Sequence, residues 1–212
     1  MGEGKLRRCV LLVFLGCLVS GCAIGNTHRY DLGDATFELE SDKTVAVTAV
    51  DVRPYVRSGE KTPDFVGLMR GGFGNPFDIT TDSGRPLADD VTTSIVKSLK
   101  VSNVGALEVT VPPGADVAEA RKTLLAADAD RFAMLLVREW KSDTYFNTGL
   151  LYDLSLRVLQ QDGTLIVEKT VSGDDNLGAS GVPADARVNT EKAFRQKLEA
   201  VFGDPGVVSA LQ

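Results

Sequence analysis

The side chains that most often carry enzyme chemistry are scarce in this chain of 212 residues. It has three cysteines, all within the first 22 residues, and a single histidine, His28. A cysteine nucleophile, a zinc cage or a histidine-dependent triad needs such side chains in the folded region. We therefore expect no catalytic residue, no metal site and no cofactor, and we predict that the protein is not an enzyme. His28 is predicted to be a solvated side chain.

Two further segments have the composition of a chemical site without its spacing. Residues 174–181 combine acidic and small residues, but they match neither a calcium loop nor a nucleophile elbow, and no histidine lies downstream to act as a base. The run Arg70-Gly71-Gly72-Phe73-Gly74-Asn75 is rich in glycine, yet it lacks the spacing of phosphate-binding loops. We interpret the first segment as a solvated loop, and a phosphate cradle stays open as one reading of the second.

The first 21 residues have the layout of a secretory signal peptide. A basic start is followed by an apolar run of 11 residues from Cys9 to Val19, and then by the small residues Ser20 and Gly21. This run is shorter than the roughly 20 residues that a membrane-spanning helix needs. The pattern therefore predicts a cleaved export signal rather than a transmembrane anchor.

The junction Leu18-Val19-Ser20-Gly21-Cys22 resembles the lipobox of bacterial lipoproteins. The resemblance implies that Cys22 is acylated and becomes the mature N-terminus, whereas the alternative is a plain cleaved signal. Two or three acyl chains attach a protein firmly to a membrane, since each buried CH₂ contributes about 0.8 kcal/mol. Ala23 stands where an aspartate retains proteobacterial lipoproteins in the inner membrane. The resemblance thus implies a lipid-anchored protein on the periplasmic face of the outer membrane.

The net charge argues against nucleic acid as a partner. The full chain carries a formal charge of −6, and residues 1–21 contain three basic and one acidic side chain, so the mature chain carries −8. An acidic protein of this kind is repelled by phosphate backbones and by anionic lipid surfaces. The acyl chains, not electrostatic attraction, are expected to hold it at the membrane.

The remaining chain is predicted to divide into a tether and one folded unit. Residues 22–42 are the lipidated cysteine and a polar tether, with an alternating stretch at 36–40 that can add an edge strand. Residues 43–212 form a single periplasmic α/β domain in the order β-α-β-α-β-β-β-α, which predicts an α/β sandwich with helices packed on a mixed sheet. The predicted strands cover 44–52, 107–111, 132–137, 150–159 and 164–171, and the predicted helices cover 87–99, 117–127 and 189–202.

Several local patterns resemble a group of envelope proteins. A strand leading into Asp51-x-Arg53-Pro54, the hairpin signal Asp162-Gly163 and the ending Leu198-x-x-Val201-Phe202-Gly203-Asp204-Pro205 resemble the YajG-like and related uncharacterised periplasmic lipoproteins. More distantly, the element order is similar to that of periplasmic domains of the TolB amino-terminal, CsgG and LpoB types. The resemblance implies an envelope accessory or interaction protein rather than a known reaction. We interpret Asp51 and Arg53 as an ion pair at a strand end.

The segment 53–85 is the candidate functional region. It is predicted to be a connection of some thirty residues without periodicity, which is unusual in a compact domain. Aromatic residues and arginine are enriched at interface hot spots, and we predict partner contacts by Arg70, Phe73, Asn75 and Phe77. The other readings are a cover over the core and the phosphate cradle.

These patterns lead to one functional hypothesis with an alternative. We expect a non-catalytic lipoprotein that docks on another protein of the cell envelope. The alternative is a module that binds a small molecule or a lipid under segment 53–85.

Overall fold

A computed structural model describes residues 27–179 and 183–212. The predicted signal peptide, Cys22 and Ser180 lie outside the described residues. The described strands are β1 Thr27–His28, β2 Thr44–Asp51, β3 Phe65–Arg70, β4 Pro76–Thr81, β5 Gly105–Glu108, β6 Arg131–Thr144, β7 Asn147–Leu159 and β8 Leu165–Ala179. The described helices are α1 Pro54–Arg57, α2 Leu87–Val101, α3 Val117–Leu124, α4 Pro183–Phe202 and α5 Pro205–Leu211.

The eight strands form one curled mixed sheet built around β6. Along one edge β6 pairs antiparallel with β7, and β7 pairs antiparallel with β8. Two strands share the other edge of β6 end to end, because β2 runs parallel to residues 131–137 and β3 runs parallel to residues 142–144. The sheet therefore has two branches on this side, one from β2 to β5 and one from β3 through β4 to β1. The predicted fold class, a mixed sheet with helices packed on it, is confirmed.

Alternation along β2 divides its side chains between two cores. Val45 and Val47 belong to the larger core, which also contains apolar side chains of α2, α4 and α5. Ala46 and Val50 point to the opposite face and pack in a second core with α3. The first half of β6 contains the apolar run Phe132–Val137, which is buried throughout, as expected for a strand covered on both faces.

The helices with strong periodic or capping signals form where the sequence predicts them. Helix α2 buries the stripe Leu87, Val91, Ile95 and Leu99. Helix α3 begins after Asp116, whose carboxylate accepts a hydrogen bond from the backbone N–H of Glu119 at 2.8 Å. Helix α4 begins at Pro183, six residues before the earliest predicted start, because proline suits the first turn of a helix.

Segment 53–85 is not an irregular connection, since it contains α1 and the hairpin β3–β4. Met69 lies opposite Phe77, and the register shifts between Phe65 and Gly67. That shift interrupts the period of two that would have indicated a strand. The sequence signal that remains is a glycine-rich stretch between two apolar runs, which is typical of a longer hairpin loop.

The glycine-rich run is the turn of this hairpin. The backbone N–H of Gly71 donates to the carbonyl of Asn75 at 2.9 Å, and the N–H of Gly74 donates to the carbonyl of Gly71 at 2.7 Å. A phosphate cradle of the usual kind needs such a loop at the N-terminus of a helix. Here the chain continues into β4, so the phosphate reading of this run is wrong.

The tether prediction is also wrong for residues 27–42. Strand β1 pairs with β4, and alternate side chains of the segment are buried in the larger core: Tyr30, Ala35, Phe37 and Leu39. Residues 36–40 alternate between buried and exposed but form no strand. The segment docks through these four side chains, whereas its remaining large apolar side chain, Leu32, stays exposed.

The same segment packs on the two helices at the other end of the chain. The ring of Phe37 stacks on that of Phe202 with centroids 4.4 Å apart. The backbone N–H of Thr36 donates to a carboxylate oxygen of Glu199 at 3.1 Å. Farther along, the hydroxyl of Ser41 donates to the carbonyl of Leu211 at 2.7 Å. Helices α4 and α5 therefore hold the N-terminal segment in place.

His28 is buried rather than solvated, with 2 % of its surface exposed. Its Nδ1 lies 3.3 Å from the hydroxyl of Tyr30. Burial, together with the positive charge of Arg187, lowers the pKa of His28 to about 4. The imidazole is therefore neutral at neutral pH and acts as part of the core.

Candidate functional site

Arg53 fills the gap between the end of β2 and the start of β3 along the edge of β6. Its guanidinium is fully buried and makes two close contacts with the carboxylate of Asp51, at 2.6 and 2.9 Å. The same guanidinium donates to the carbonyls of Phe65 at 2.6 Å and Trp140 at 3.1 Å. It thus provides hydrogen-bond donors where no strand pairs with β6. The interpretation of Asp51 and Arg53 as an ion pair at a strand end is confirmed.

Four exposed aromatic side chains lie at two neighbouring turns, and we call them the tip surface: Phe73, Phe77, Tyr145 and Phe146. The turns are neighbours because Met69 of β3 pairs with Thr144 of β6, just before each strand ends. The hydroxyl of Tyr145 also donates to the carbonyl of Gly72 at 3.4 Å. Phe73 is 99 % exposed and Phe146 is 73 % exposed. The tip surface is thus an apolar patch that no described residue covers.

The structure brings the predicted partner-binding residues together at this end of the molecule. Phe73, Asn75 and Phe77 are exposed on the β3–β4 hairpin. Arg70 is the last residue before the turn of this hairpin, and its guanidinium forms a two-pronged ion pair with Asp143 at 2.7 and 2.5 Å. Arg70 is thus a rim residue that is already paired.

Tyr145 and Phe146 are the members of the tip surface that sequence reasoning missed. They lie between the antiparallel strands β6 and β7, where a turn is normally polar. Two adjacent aromatic residues at a turn are the signal that could have revealed them. Their position beside the other hairpin depends on the pairing of β3 with β6, which no local pattern shows.

A crevice of about 460 Å³ opens beyond the carboxyl end of β2. Its walls come from the last residues of β2, from residues 56–63, from the first turn of α2 and from residues 111–115. The first part of segment 53–85 thus contributes to it. The volume is in the range of small-molecule sites, and the carboxyl ends of parallel strands are where α/β sheets commonly bind ligands.

Two adjacent carboxylates in the first turn of α2 have different environments. Asp90 is buried, accepts a hydrogen bond from the hydroxyl of Ser83 at 2.7 Å, and pairs with Arg85 at 2.7 Å. Asp89 is half-buried in the wall of the crevice, and its carboxylate forms no hydrogen bond or ion pair with any described residue. Desolvation raises the pKa of the Asp89 carboxyl against the opposing charge of Arg85, and nearby Glu108 raises it further.

In residues 27–179 and 183–212, histidine, cysteine and acidic side chains form no group of three that could hold a metal ion. Across these residues, no helix has the length and apolar character needed to cross a membrane.

The described residues thus define a curled α/β protein with an exposed aromatic surface and a crevice at the strand ends. Among solved structures it is similar to protein XCC0632 from Xanthomonas campestris, described under the family model DUF330. The TM-score is 0.54 at 14 % sequence identity, over 82 % of this chain and 88 % of that one. At this identity the likeness shows a shared fold.

Two further solved structures are less similar to this chain. PelC from Paraburkholderia phytofirmans, crystallised as a dodecamer, matches with a TM-score of 0.41 at 12 % identity, over 84 % of this chain and 94 % of that one. Lipoprotein GNA1162 from Neisseria meningitidis matches with a TM-score of 0.31 at 9 % identity, over 73 % and 98 %. No family model and no curated protein matches the chain. The lipobox at Cys22 and the YajG-like resemblance stay predictions.

Proposed function

We propose that this chain is a non-catalytic accessory lipoprotein of the bacterial cell envelope. In this proposal Cys22 carries the acyl chains, the folded part faces the periplasm from the outer membrane, and the tip surface docks on another envelope protein. The observation that carries the docking step is the exposure of four aromatic side chains on two adjacent turns. The alternative, a small-molecule module, is supported by the crevice.

The exposed aromatic residues have the properties of binding anchors. Burying a phenylalanine side chain contributes about 1.5–3 kcal/mol. A few buried aromatic residues commonly supply most of the binding energy of an interface. Phe73 and Phe146 project from turns that the ladders of β3 and β6 hold side by side. The flanking strands therefore fix where the two turns lie, which reduces the part of the chain that must be ordered on binding.

The surroundings of the tip surface favour a protein partner over a lipid surface. Arg70 is paired with Asp143, and Lys61 is paired with Asp78 on the flank of the same hairpin at 2.6 Å. An apolar centre with a polar rim is the usual anatomy of a protein interface. Positive charges that could attract anionic lipid are thus neutralised locally, and the mature chain is acidic overall.

The direction of the chain supports a partner near the membrane. Strand β1 runs parallel to β4, with Thr27 beside Thr80, and β4 leads away from the tip surface. The chain therefore enters β1 from the side of the tip surface. Cys22 precedes Thr27 by five residues, which limits their separation to about 18 Å. An anchor at Cys22 would bring the tip surface close to the bilayer and to proteins embedded in it.

Photocrosslinking in living cells tests the docking step. A crosslinking amino acid at Phe73 or Phe77 is expected to give one protein adduct of discrete mass. The control is Val101, which is 73 % exposed and lies at the end of α2, near the amino end of β2. The absence of a protein adduct at the tip positions, adducts to lipid only, or the same adducts at Val101 would each contradict the proposal.

Substitutions separate docking from folding. Phe73→Ala is expected to abolish copurification of the partner while changing the free energy of unfolding by less than about 0.5 kcal/mol, because the side chain contacts solvent. Arg70→Ala removes an exposed ion pair and should likewise leave the protein folded. A large loss of stability in Phe73→Ala would mean that the aromatic ring serves the fold instead.

The anchor has its own test. Cells supplied with radiolabelled palmitate should label the protein, and Cys22→Ser should remove both the label and its membrane attachment. Recovery of label with the Cys22→Ser chain would contradict acylation at this position. This outcome is independent of the crosslinking result.

A further inference from the structure

The crevice beyond β2 has walls that are mainly aliphatic and proline side chains. Those that line it include Val50, Val56, Pro63, Pro86, Val111 and Pro112. Apolar walls favour the burial of an apolar ligand body at about 25 cal/mol per Å². Proline rings keep the wall rigid, because their backbone φ is fixed.

Hydrogen bonds between the surrounding segments hold this crevice in shape. The guanidinium Nη1 of Arg57 donates to the carbonyls of Gly114 and Ala115, each at 2.7 Å. On the other side, the backbone N–H of Leu87 donates to the carbonyl of Pro63 at 3.0 Å. The walls from residues 56–63, α2 and residues 111–115 are thus tied together. A ligand would enter a site that is largely formed in advance, as most small-molecule sites are.

Some charged side chains in the wall of the crevice already form ion pairs, and one carboxylate does not. Lys61 is paired with Asp78, and Asp51 is paired with Arg53. Asp89 alone among these carboxylates has no partner within the described residues. A half-buried carboxylate without a partner attracts a cation that also donates hydrogen bonds, because such charge-assisted bonds are about twice as strong as neutral ones.

We propose that the crevice binds a small amphipathic molecule that presents a protonated amine to Asp89 and rests its apolar part on the valine and proline walls. This site lies on different residues from the tip surface, so it does not depend on the proposed docking. It gives the chain a second binding activity. The exposed guanidinium of Arg57 at the rim makes a carboxylate the competing ligand class, which the experiment separates.

Three probes of one shape test the proposal: benzylamine, benzyl alcohol and benzoate. Binding is measured by calorimetry and by ligand-observed NMR at pH 7, with the chain carrying Cys22→Ser so that no acyl chain competes. Benzylamine is expected to bind at least tenfold more tightly than the other two probes. Equal affinities, tighter binding of benzoate, or no binding of any probe would overturn the proposal.

Matched variants locate the site. Asp89→Asn is expected to weaken benzylamine binding at least tenfold, whereas Asp128→Asn, a change at an exposed carboxylate outside the crevice, should leave it unchanged. Val56→Phe places a ring in the crevice and should block all three probes. Circular dichroism and thermal unfolding confirm that each variant is folded. Unchanged binding in both Asp89→Asn and Val56→Phe would overturn the assignment to this crevice.

Discussion

The buried state of His28 predicts how the stability of the protein depends on pH. The pKa of this imidazole is about 4 in the folded chain, whereas an imidazole exposed to water, as in the unfolded chain, has a pKa of 6.5. Between these values the unfolded chain binds a proton that the folded chain does not, so folding loses stability as the pH falls. At about 1.4 kcal/mol per pKa unit, the full loss is about 3.5 kcal/mol. It is negligible above about pH 7.5, grows as the pH falls through the ordinary pKa of 6.5, and is complete only below about pH 4.

Two measurements test this directly. Because the chain has one histidine, a sample without a histidine tag gives a single imidazole NMR signal, whose titration reports the folded pKa. Urea unfolding, followed by fluorescence of the only tryptophan, the buried Trp140, gives the free energy of unfolding at each pH. His28→Asn has no titrating group at this position. The wild-type chain should therefore lose about 2–3 kcal/mol more than this variant between pH 7.5 and pH 4.5.

The comparison with His28→Asn removes the contributions of carboxylates, which titrate in the same range in both chains. Identical pH dependence of the two unfolding free energies would refute the reasoning. A folded pKa near 6.5 in the NMR titration would refute it as well, because it would mean that water reaches the imidazole. Either result would restore the picture of His28 in a solvated tether.

Three further predictions concern the fold. Arg53→Met should lower the free energy of unfolding by about 3–5 kcal/mol in chemical denaturation, because it leaves a carboxylate without its buried partner. Gly67→Ala should destabilise the chain by about 1–3 kcal/mol, since an added Cβ overlaps β6, whereas Gly72→Ala has open space around it and should cost far less. Phe37→Ala should cost about 3–5 kcal/mol and the exposed neighbour Glu38→Ala less than about 0.5, and equal small effects would contradict the docking of the N-terminal segment.

Local signals in the sequence predicted the elements that local interactions stabilise. The apolar stripe of α2 and the cap at Asp116 each depend on residues that are close together in the sequence. The connection between β7 and β8 contains Asp162-Gly163, and Gly163 adopts the left-handed φ of +84° that the motif predicts. Such features need no knowledge of the rest of the fold.

The missed features depend on residues far apart in the chain. Thr36 bonds to a residue 163 positions later, and Arg53 reaches Trp140 across 87 positions. Hydrophobic periodicity identifies β2 and β3 only as two separate short strands. It therefore cannot show that they lie end to end along β6. Half of the tip surface was therefore predicted from the sequence. The composition of segment 53–85 indicates Phe73 and Phe77, whereas the pairing of the strands is needed to place Tyr145 and Phe146 beside them.

The docking of residues 27–42 on α4 and α5 affects the order in which the protein can fold. A chain is synthesised from its N-terminus. The segment 27–42 is therefore synthesised first, and Tyr30 and Phe37 stay uncovered until the helices on which they pack have been synthesised. Closing a loop of about 160 residues is slow and carries an entropic cost. The rings that receive Tyr30 and Phe37 are Phe194 and Phe202 of α4, so the folding of this late helix decides when the N-terminal segment becomes protected from proteases.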